Sequence, residues 1–82
     1  MSKFKKALAR LETRPNDLSW RELQNIMTHF GYEEVKGGGS RRKFINSKTN
    51  VFISLHEPHP RPTVKRYAVD IVIEHLREEG LL

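Results

Sequence analysis

The stretch YEEVKGGGSRRKFINSKTNVFISLH, residues 32–56, decides the fold that this sequence predicts. It contains three runs with strand character, YEEVK, SRRKFIN and VFISLH, separated by the turn-forming segments GGG and SKTN. Because antiparallel neighbours can be joined by very short turns, the three runs are predicted to form an antiparallel meander.

The middle strand of this meander carries most of its charge. Side chains alternate between the two faces of a strand, so Arg42 and Phe44 share one face while Arg41, Lys43 and Ile45 share the other. Phe44 is the apolar anchor toward the core. Arg41 and Lys43 are therefore predicted to project from the face of the sheet that points away from the helices.

The segment SWRELQNIMTHFGY, residues 19–32, predicts the helix that precedes the sheet. Ser19 is a good N-cap, Glu22 follows at the spacing of a capping box, and Gly31 suits the position just after the last turn. Its apolar residues recur at helical spacing and define a core face: Trp20, Leu23, Ile26, Met27 and Phe30.

Two further helices flank this arrangement. Residues 63–80, TVKRYAVDIVIEHLREEG, predict a long helix with Thr63 as its N-cap and Gly80 at its end. Its predicted apolar face comprises Val64, Tyr67, Ala68, Val69, Ile71, Val72, Ile73 and Leu76. At the start of the chain, a narrower stripe before Pro15 predicts a short helix: Phe4, Ala7, Leu8 and Leu11.

The order helix, helix, three strands, helix predicts an α+β fold with a three-stranded antiparallel sheet and helices on one face. We divide the chain into an N-terminal helical extension, residues 1–15, and one small domain, residues 18–82. The absence of cysteine excludes disulfides and a cysteine-based zinc site. No apolar run approaches the ~20 residues of a membrane span, and the N-terminus lacks a signal-like apolar run, so we expect no membrane partner and a cytoplasmic location.

Positive charge is concentrated in one segment of the chain. Residues 36–66 contain eight lysine or arginine residues and one glutamate, a net charge of +7, whereas the whole chain carries +5. A localised basic region attracts polyanions, above all RNA or DNA. A solvated, solubilising surface is the alternative interpretation.

Two features of the sequence are candidates for a functional site: the glycine run and the two histidines after the third strand. VKGGGSRRKF lacks Walker A spacing and a following helix, so it predicts a hairpin turn, although three glycines also permit a phosphate to approach the backbone. His56 and His59 follow the third strand, and their spacing does not match a strong zinc motif, so we expect no metal site. Histidine transfers protons near neutral pH, and RNA can be cut without metal when two such groups act on the 2′-hydroxyl and the leaving oxygen. A polar loop without chemistry is the alternative.

Three motifs in a fixed order, FGYEEVKGGGS, GGSRRKF and ISLHEPHP followed by VKRYAVDIVIEHL, resemble the HicA (YcfA-like) toxin family. The resemblance covers roughly residues 18–82 and leaves the first helix as an addition. It implies an α-β-β-β-α fold similar to a double-stranded-RNA-binding domain (dsRBD-like). It also implies an mRNA interferase, an RNA endonuclease that binds mRNA, needs no cofactor, and is neutralised by a HicB-like antitoxin.

Arg41 marks a departure from that family. The resemblance implies a catalytic histidine directly after the Gly-(Gly/Ser) pair, and Arg41 occupies this position. Arginine cannot serve as a general base, but it can bind phosphate or stabilise developing charge. His59 matches the loop histidine of the family, and His56 is a second candidate. The predicted function is metal-independent RNA cleavage through these residues; the alternative is a catalytically silent dsRBD-like RNA-binding module.

The predicted RNA contacts are the basic side chains of the middle strand, the turn after it and the loop before the last helix: Arg41, Arg42, Lys43, Lys48, Arg61, Lys65 and Arg66. A protein-interaction domain that uses its helix faces is a third interpretation, and groove binding to DNA is a weaker one.

Overall fold

The computed structural model describes residues 3–82 and contains three helices and three strands in this part of the chain. In chain order they are α1 (Lys3–Glu12), α2 (Trp20–His29), β1 (Tyr32–Lys36), β2 (Arg41–Asn46), β3 (Phe52–His56) and α3 (Arg66–Glu78). This order confirms the predicted α+β fold. The first two residues of the predicted N-terminal extension, residues 1–15, lie outside the described residues.

The three strands form an antiparallel sheet in the order β1-β2-β3, as the short turns predict. Its register places Lys43 of β2 between Val35 of β1 and Ser54 of β3, and all three side chains are exposed on the outer face. Phe44, the next residue along β2, is buried on the inner face. The predicted alternation of the middle strand is therefore confirmed.

The core lies between the inner face of the sheet and the helices. Phe44 meets Trp20 of α2 with 5.6 Å between ring centroids, which fixes this helix against the middle strand. The largest fully buried side chains come from every layer: Leu11, Leu18, Leu23, Ile26, Met27, Phe44, Val64, Val69, Val72, Ile73 and Leu76. None of the helices in residues 3–82 has the length and apolar character needed to cross a membrane.

The start of α2 is held by the predicted capping box. The Ser19 side chain accepts a hydrogen bond from the Glu22 N–H, and the Glu22 carboxylate accepts one from the Ser19 N–H, both at 3.1 Å. Arg10 of α1 donates to the same carboxylate at 2.7 Å. Partial burial alone raises the pKa of Glu22, but the hydrogen bonds from Ser19 and Arg10 outweigh it and lower the pKa below its ordinary value. Gly31 follows the C-cap with φ of +91°, as predicted.

Helix α1 packs against α2 and α3 in the same core. Leu11 is fully buried, and Ala7 lies one turn before it on the same face. Phe4 stacks on His29 of α2 with 3.5 Å between ring centroids, and Arg14 forms an ion pair with Asp70 of α3. The extension is thus attached to the rest of the protein by apolar and polar contacts, while the proposed boundary at residue 18 stays a prediction.

The beginning of α3 differs from the prediction. Thr63 is not its N-cap, because the chain is still non-helical at Val64 and Lys65, and Thr63 itself forms an antiparallel bridge with Ser19. Hydrogen bonds on both sides hold this bridge, from Trp20 N–H to Pro62 O at 2.8 Å and from Val64 N–H to Leu18 O at 2.7 Å. The helix therefore begins at Arg66, with Lys65 as its N-cap.

Two residues assigned to the apolar face of α3 do not face the core. Tyr67 is 57% exposed and Ile71 is 42% exposed. At about 100° per residue, the buried residues Ala68, Val69 and Val72 already fill the side that packs on the core, which leaves Tyr67 roughly opposite to them. The prediction for Tyr67 and Ile71 was wrong because a helix cannot bury residues around its whole circumference in so small a protein.

Candidate active site

The site is built on the tight hairpin between β1 and β2. The hairpin is closed by hydrogen bonds from Gly37 N–H to Arg41 O at 2.9 Å and from Arg41 N–H to Gly38 O at 3.1 Å. Gly39 has φ of +60°, and a Cβ at Gly37 would lie 3.1 Å from the Cβ of Arg41. These glycines therefore make a turn, and the turn places Ser40 and Arg41 at the end of the sheet where β2 begins.

His56, the last residue of β3, lies across from Arg41 in the sheet register. Its Nδ1 is 3.0 Å from Ser40 Oγ, and the Glu57 N–H donates to Ser40 O at 2.8 Å. Ser40 thus fixes the end of β3 through its backbone and the imidazole through its hydroxyl. This contact occupies Nδ1 and leaves Nε2 as the ring nitrogen that can meet a substrate.

A cleft of about 300 Å³ opens beside His56 and reaches the start of α3. His59 lines the same cleft, so the structure brings the two loop histidines of the prediction together. Lys65 supplies a cation to it, and Tyr67 adds an aromatic side chain. One cleft thus brings together imidazole groups, which can transfer protons, and an ammonium group, which can bind anions.

A second cleft, of about 420 Å³, adjoins the hairpin, and His56 lines this one too. Arg41 and Lys43 lie along it, both exposed. Lys43 Nζ also lies 4.6 Å from the ring centroid of Phe52, which places this ammonium over the outer face of the sheet. His56 therefore stands between a histidine-lined cleft and an arginine- and lysine-lined one.

Arg42, in contrast, is anchored within the protein. Its side chain is 14% exposed, and its Nε donates to Glu57 at 2.9 Å and lies 3.8 Å from Glu34. Its Nη1 donates to the carbonyls of Gly39 and Arg41 at 3.0 and 2.7 Å. Arg42 thus ties the hairpin to the loop after β3, and its predicted contact with RNA phosphate stays a prediction.

The remaining predicted contacts are spread over the molecule. Arg61 lines a neighbouring cleft of about 350 Å³ together with His59 and Lys65. Arg66 is exposed as the first residue of α3. Lys48 lies in the turn between β2 and β3, at the opposite end of the sheet from the hairpin, so it is not part of this site. Within residues 3–82 no cluster of three or more metal-ligating side chains occurs.

Sequence reasoning missed three residues of the site. Ser40 stands directly before the predicted contact Arg41, and its contact with His56 depends on the pairing of β2 with β3, which local patterns do not give. Glu57 gave no signal of its own, because its partner Arg42 lies fifteen residues away in sequence. Tyr67 was assigned to the core, although it lines the cleft.

A family model described as "HicA toxin of bacterial toxin-antitoxin" matches residues 20–77, well over half of the chain. The chain belongs to the HicA toxin family. The protein is thus the toxin of a toxin–antitoxin pair and has an antitoxin as its partner. The match to the HicA model begins at the first residue of α2 and leaves α1 outside. Neither the curated proteins nor the solved structures contain a significant match to the chain.

Proposed function

We propose that this HicA-family toxin binds mRNA and cleaves it without a metal ion, and that its antitoxin is HicB-like. The observation that carries the proposal is the position of His56, held by Ser40 at 3.0 Å between a cleft lined by His59 and a cleft lined by Arg41. The two imidazoles line one cleft, and His56 shares the adjoining cleft with the permanent cation of Arg41. These are the groups that metal-independent RNA cleavage uses.

Binding is assigned to the basic residues that the fold brings to these clefts. Arg41 and Lys43 line the cleft beside the hairpin, and Lys65 lines the one beside α3. Residues 36–66, which contain all three, carry a net charge of +7. Such a field raises the local concentration of RNA, and lysine and arginine then hold its phosphates without reading its sequence.

Cleavage is assigned to attack of the ribose 2′-oxygen on the adjacent phosphorus. One imidazole of the pair His56 and His59 accepts the 2′-hydroxyl proton as the O2′–P bond forms. The other gives a proton to the 5′-oxygen as the P–O5′ bond breaks, which yields a 2′,3′-cyclic phosphate and a 5′-hydroxyl. Arg41, which cannot accept a proton, stabilises the negative charge that builds up on the phosphoryl oxygens.

The test is RNA cleavage in the presence of EDTA by the wild type, His56→Ala and His59→Ala. His29→Ala is the matched control, because His29 lies on α2 and not in either cleft. We expect each cleft variant to cut RNA about 10²- to 10⁴-fold more slowly, with RNA binding nearly retained and the control unaffected. The fragments should end in 2′,3′-cyclic phosphates, and induction of the wild type in cells should arrest growth.

Two outcomes contradict the proposal in different ways. RNA binding without cleavage by the wild type would make this protein a catalytically silent RNA-binding module. The loss of activity would then be explained by Arg41, which stands where the family has its catalytic histidine. Undetectable RNA binding at low salt would remove the RNA assignment altogether, because cationic clefts bind RNA most tightly there.

A further inference from the structure

Tyr67 is an exposed aromatic residue in the first turn of α3. Its residue surface is 57% exposed, and it lines the 300 Å³ cleft together with His56, His59 and Lys65. In the part of the chain that the structure describes, no hydrogen bond or ring contact involves its side chain. The ring therefore contributes little to the core, and its surface is available to a molecule in the cleft.

The residues next to Tyr67 indicate what this molecule is. Lys65, two residues before Tyr67 in the sequence, lines the same cleft with its ammonium-bearing side chain. The two histidines line this cleft as well. A flat aromatic side chain beside a cation matches the two chemistries of a nucleotide, since the base stacks on the ring and the phosphate meets the cation. A phenol hydroxyl can also donate to phosphate, but the exposed ring adds a flat surface that a base can stack on.

We infer that Tyr67 stacks on one base of the RNA beside the phosphate that the cleft holds. This inference rests on the proposed function and adds a residue that determines specificity. A base can reach the ring only when it is unpaired and turned out of its own stack, because both faces of a paired base are covered inside a duplex. Tyr67 thereby makes the toxin select single-stranded RNA over double-stranded RNA.

The experiment measures binding, so that it does not depend on cleavage. The probe is a mixed-sequence RNA of about eight nucleotides with 2′-O-methyl groups, which removes the attacking hydroxyl, offered as a single strand and as a duplex. The proteins are the wild type, Tyr67→Ala, Tyr67→Phe and Ile71→Ala. Ile71 is the matched control because it is an exposed apolar residue on the next turn of α3 and does not line the cleft.

We expect Tyr67→Ala to bind the single strand about 5- to 150-fold more weakly, the effect of losing one stacked base. Tyr67→Phe keeps the ring and should bind within about twofold of the wild type, as should Ile71→Ala. The duplex should bind more weakly than the single strand and should be insensitive to Tyr67. A probe with one base removed at successive positions should identify a position whose loss weakens the wild type but not Tyr67→Ala.

The results separate this inference from the proposed function. If the wild type binds the single strand and Tyr67→Ala binds it equally well, the stacking role is wrong while RNA binding stands. If Tyr67→Phe loses as much as Tyr67→Ala, the hydroxyl is responsible and stacking is likewise wrong. If no variant, including the wild type, binds either probe, the proposed function itself fails.

Discussion

Arg41 and Arg42 are adjacent in β2 and carry the same side chain in opposite environments. Arg41 is exposed on the outer face and lines the cleft beside the hairpin. Arg42 points inward, where Glu34 and Glu57 surround its Nε and two carbonyls accept from its Nη1. Glu34 in turn accepts from Gln24 at 2.6 Å, so the network reaches from the hairpin to α2. The same residue type thus anchors the fold at position 42, whereas at position 41 its side chain makes no such contact within residues 3–82 and is the proposed RNA contact.

Replacing each arginine by alanine should separate these roles. Arg42→Ala leaves Glu34 without its nearby cation and the hairpin without its anchor, so we expect a loss of about 1.5–3 kcal/mol in the free energy of unfolding. Arg41→Ala, the control with the same change in charge, should alter stability by less than about 0.5 kcal/mol. Urea denaturation of both variants provides the measurement.

RNA affinity should show the reverse order. Arg41→Ala should weaken binding although its fold is intact, because it removes a cation from the cleft. In the urea experiment, equal losses of unfolding free energy in Arg41→Ala and Arg42→Ala would show that Arg42 is not the anchor that its hydrogen bonds indicate.

The alternation of side chains along β2 was sufficient to predict that Arg42 faces inward and Arg41 outward. It could not predict what Arg42 meets there. Glu57 comes from the loop after β3, and only the register of that strand brings it to 2.9 Å from Arg42. The contact between Ser40 and His56 was missed for the same reason, since local patterns carry no information on cross-strand partners.

Helix α1 is the element with the least obvious role, since the match to the HicA model leaves it outside. Its packing is nevertheless that of a core helix. Leu11 is fully buried, and Arg10 reaches the capping box of α2 through Glu22. We infer that α1 covers apolar surface of α2 and α3 that would otherwise face water.

Leu11→Ala tests that role. Removing a fully buried leucine side chain costs about 2–5 kcal/mol, a large share of the ~5–15 kcal/mol that stabilises a typical domain. Leu8→Ala on the same helix is the graded control, because Leu8 is only half-buried and should cost clearly less. Thermal and urea unfolding measure both. Similar small losses in the two variants would make α1 an appendage and not part of the core.

At the scale of elements, local signals predicted the caps of α2 and the strands, but they misplaced the start of α3. The capping box depends on residues three apart, so the sequence displays it. Thr63 has the chemistry of an N-cap as well, but its bridge to Ser19 links segments far apart in the chain. The N-cap of α3 is Lys65, two residues later than predicted, although its side chain makes no capping hydrogen bond.

At the scale of the whole molecule, the basic side chains are not all in one place: some line the clefts near the hairpin, and Lys48 lies at the other end of the sheet. The hairpin clefts contain Arg41, Lys43 and Lys65, whereas Lys48 lies at the opposite end of β2. A strand of six residues is about 20 Å long, more than twice the ~8 Å over which charges are screened at physiological salt. Although one basic segment of sequence supplies all four cations, the length of β2 separates Lys48 from Arg41, so we expect Lys48 to contribute little to the proposed RNA binding in the clefts.

Lys65→Ala and Lys48→Ala distinguish binding in the clefts from attraction by the overall charge. Both variants lose one positive charge, so a general field would weaken RNA binding equally in each. If the clefts hold the RNA, Lys65→Ala loses a phosphate contact, and the slope of log affinity against log salt should become less steep by about 0.7 for single-stranded RNA. Lys48→Ala should keep the slope of the wild type. Titrations with labelled RNA at several salt concentrations give both slopes, and equal slopes in the two variants would place the RNA outside the clefts and leave Lys65 as one surface charge among many.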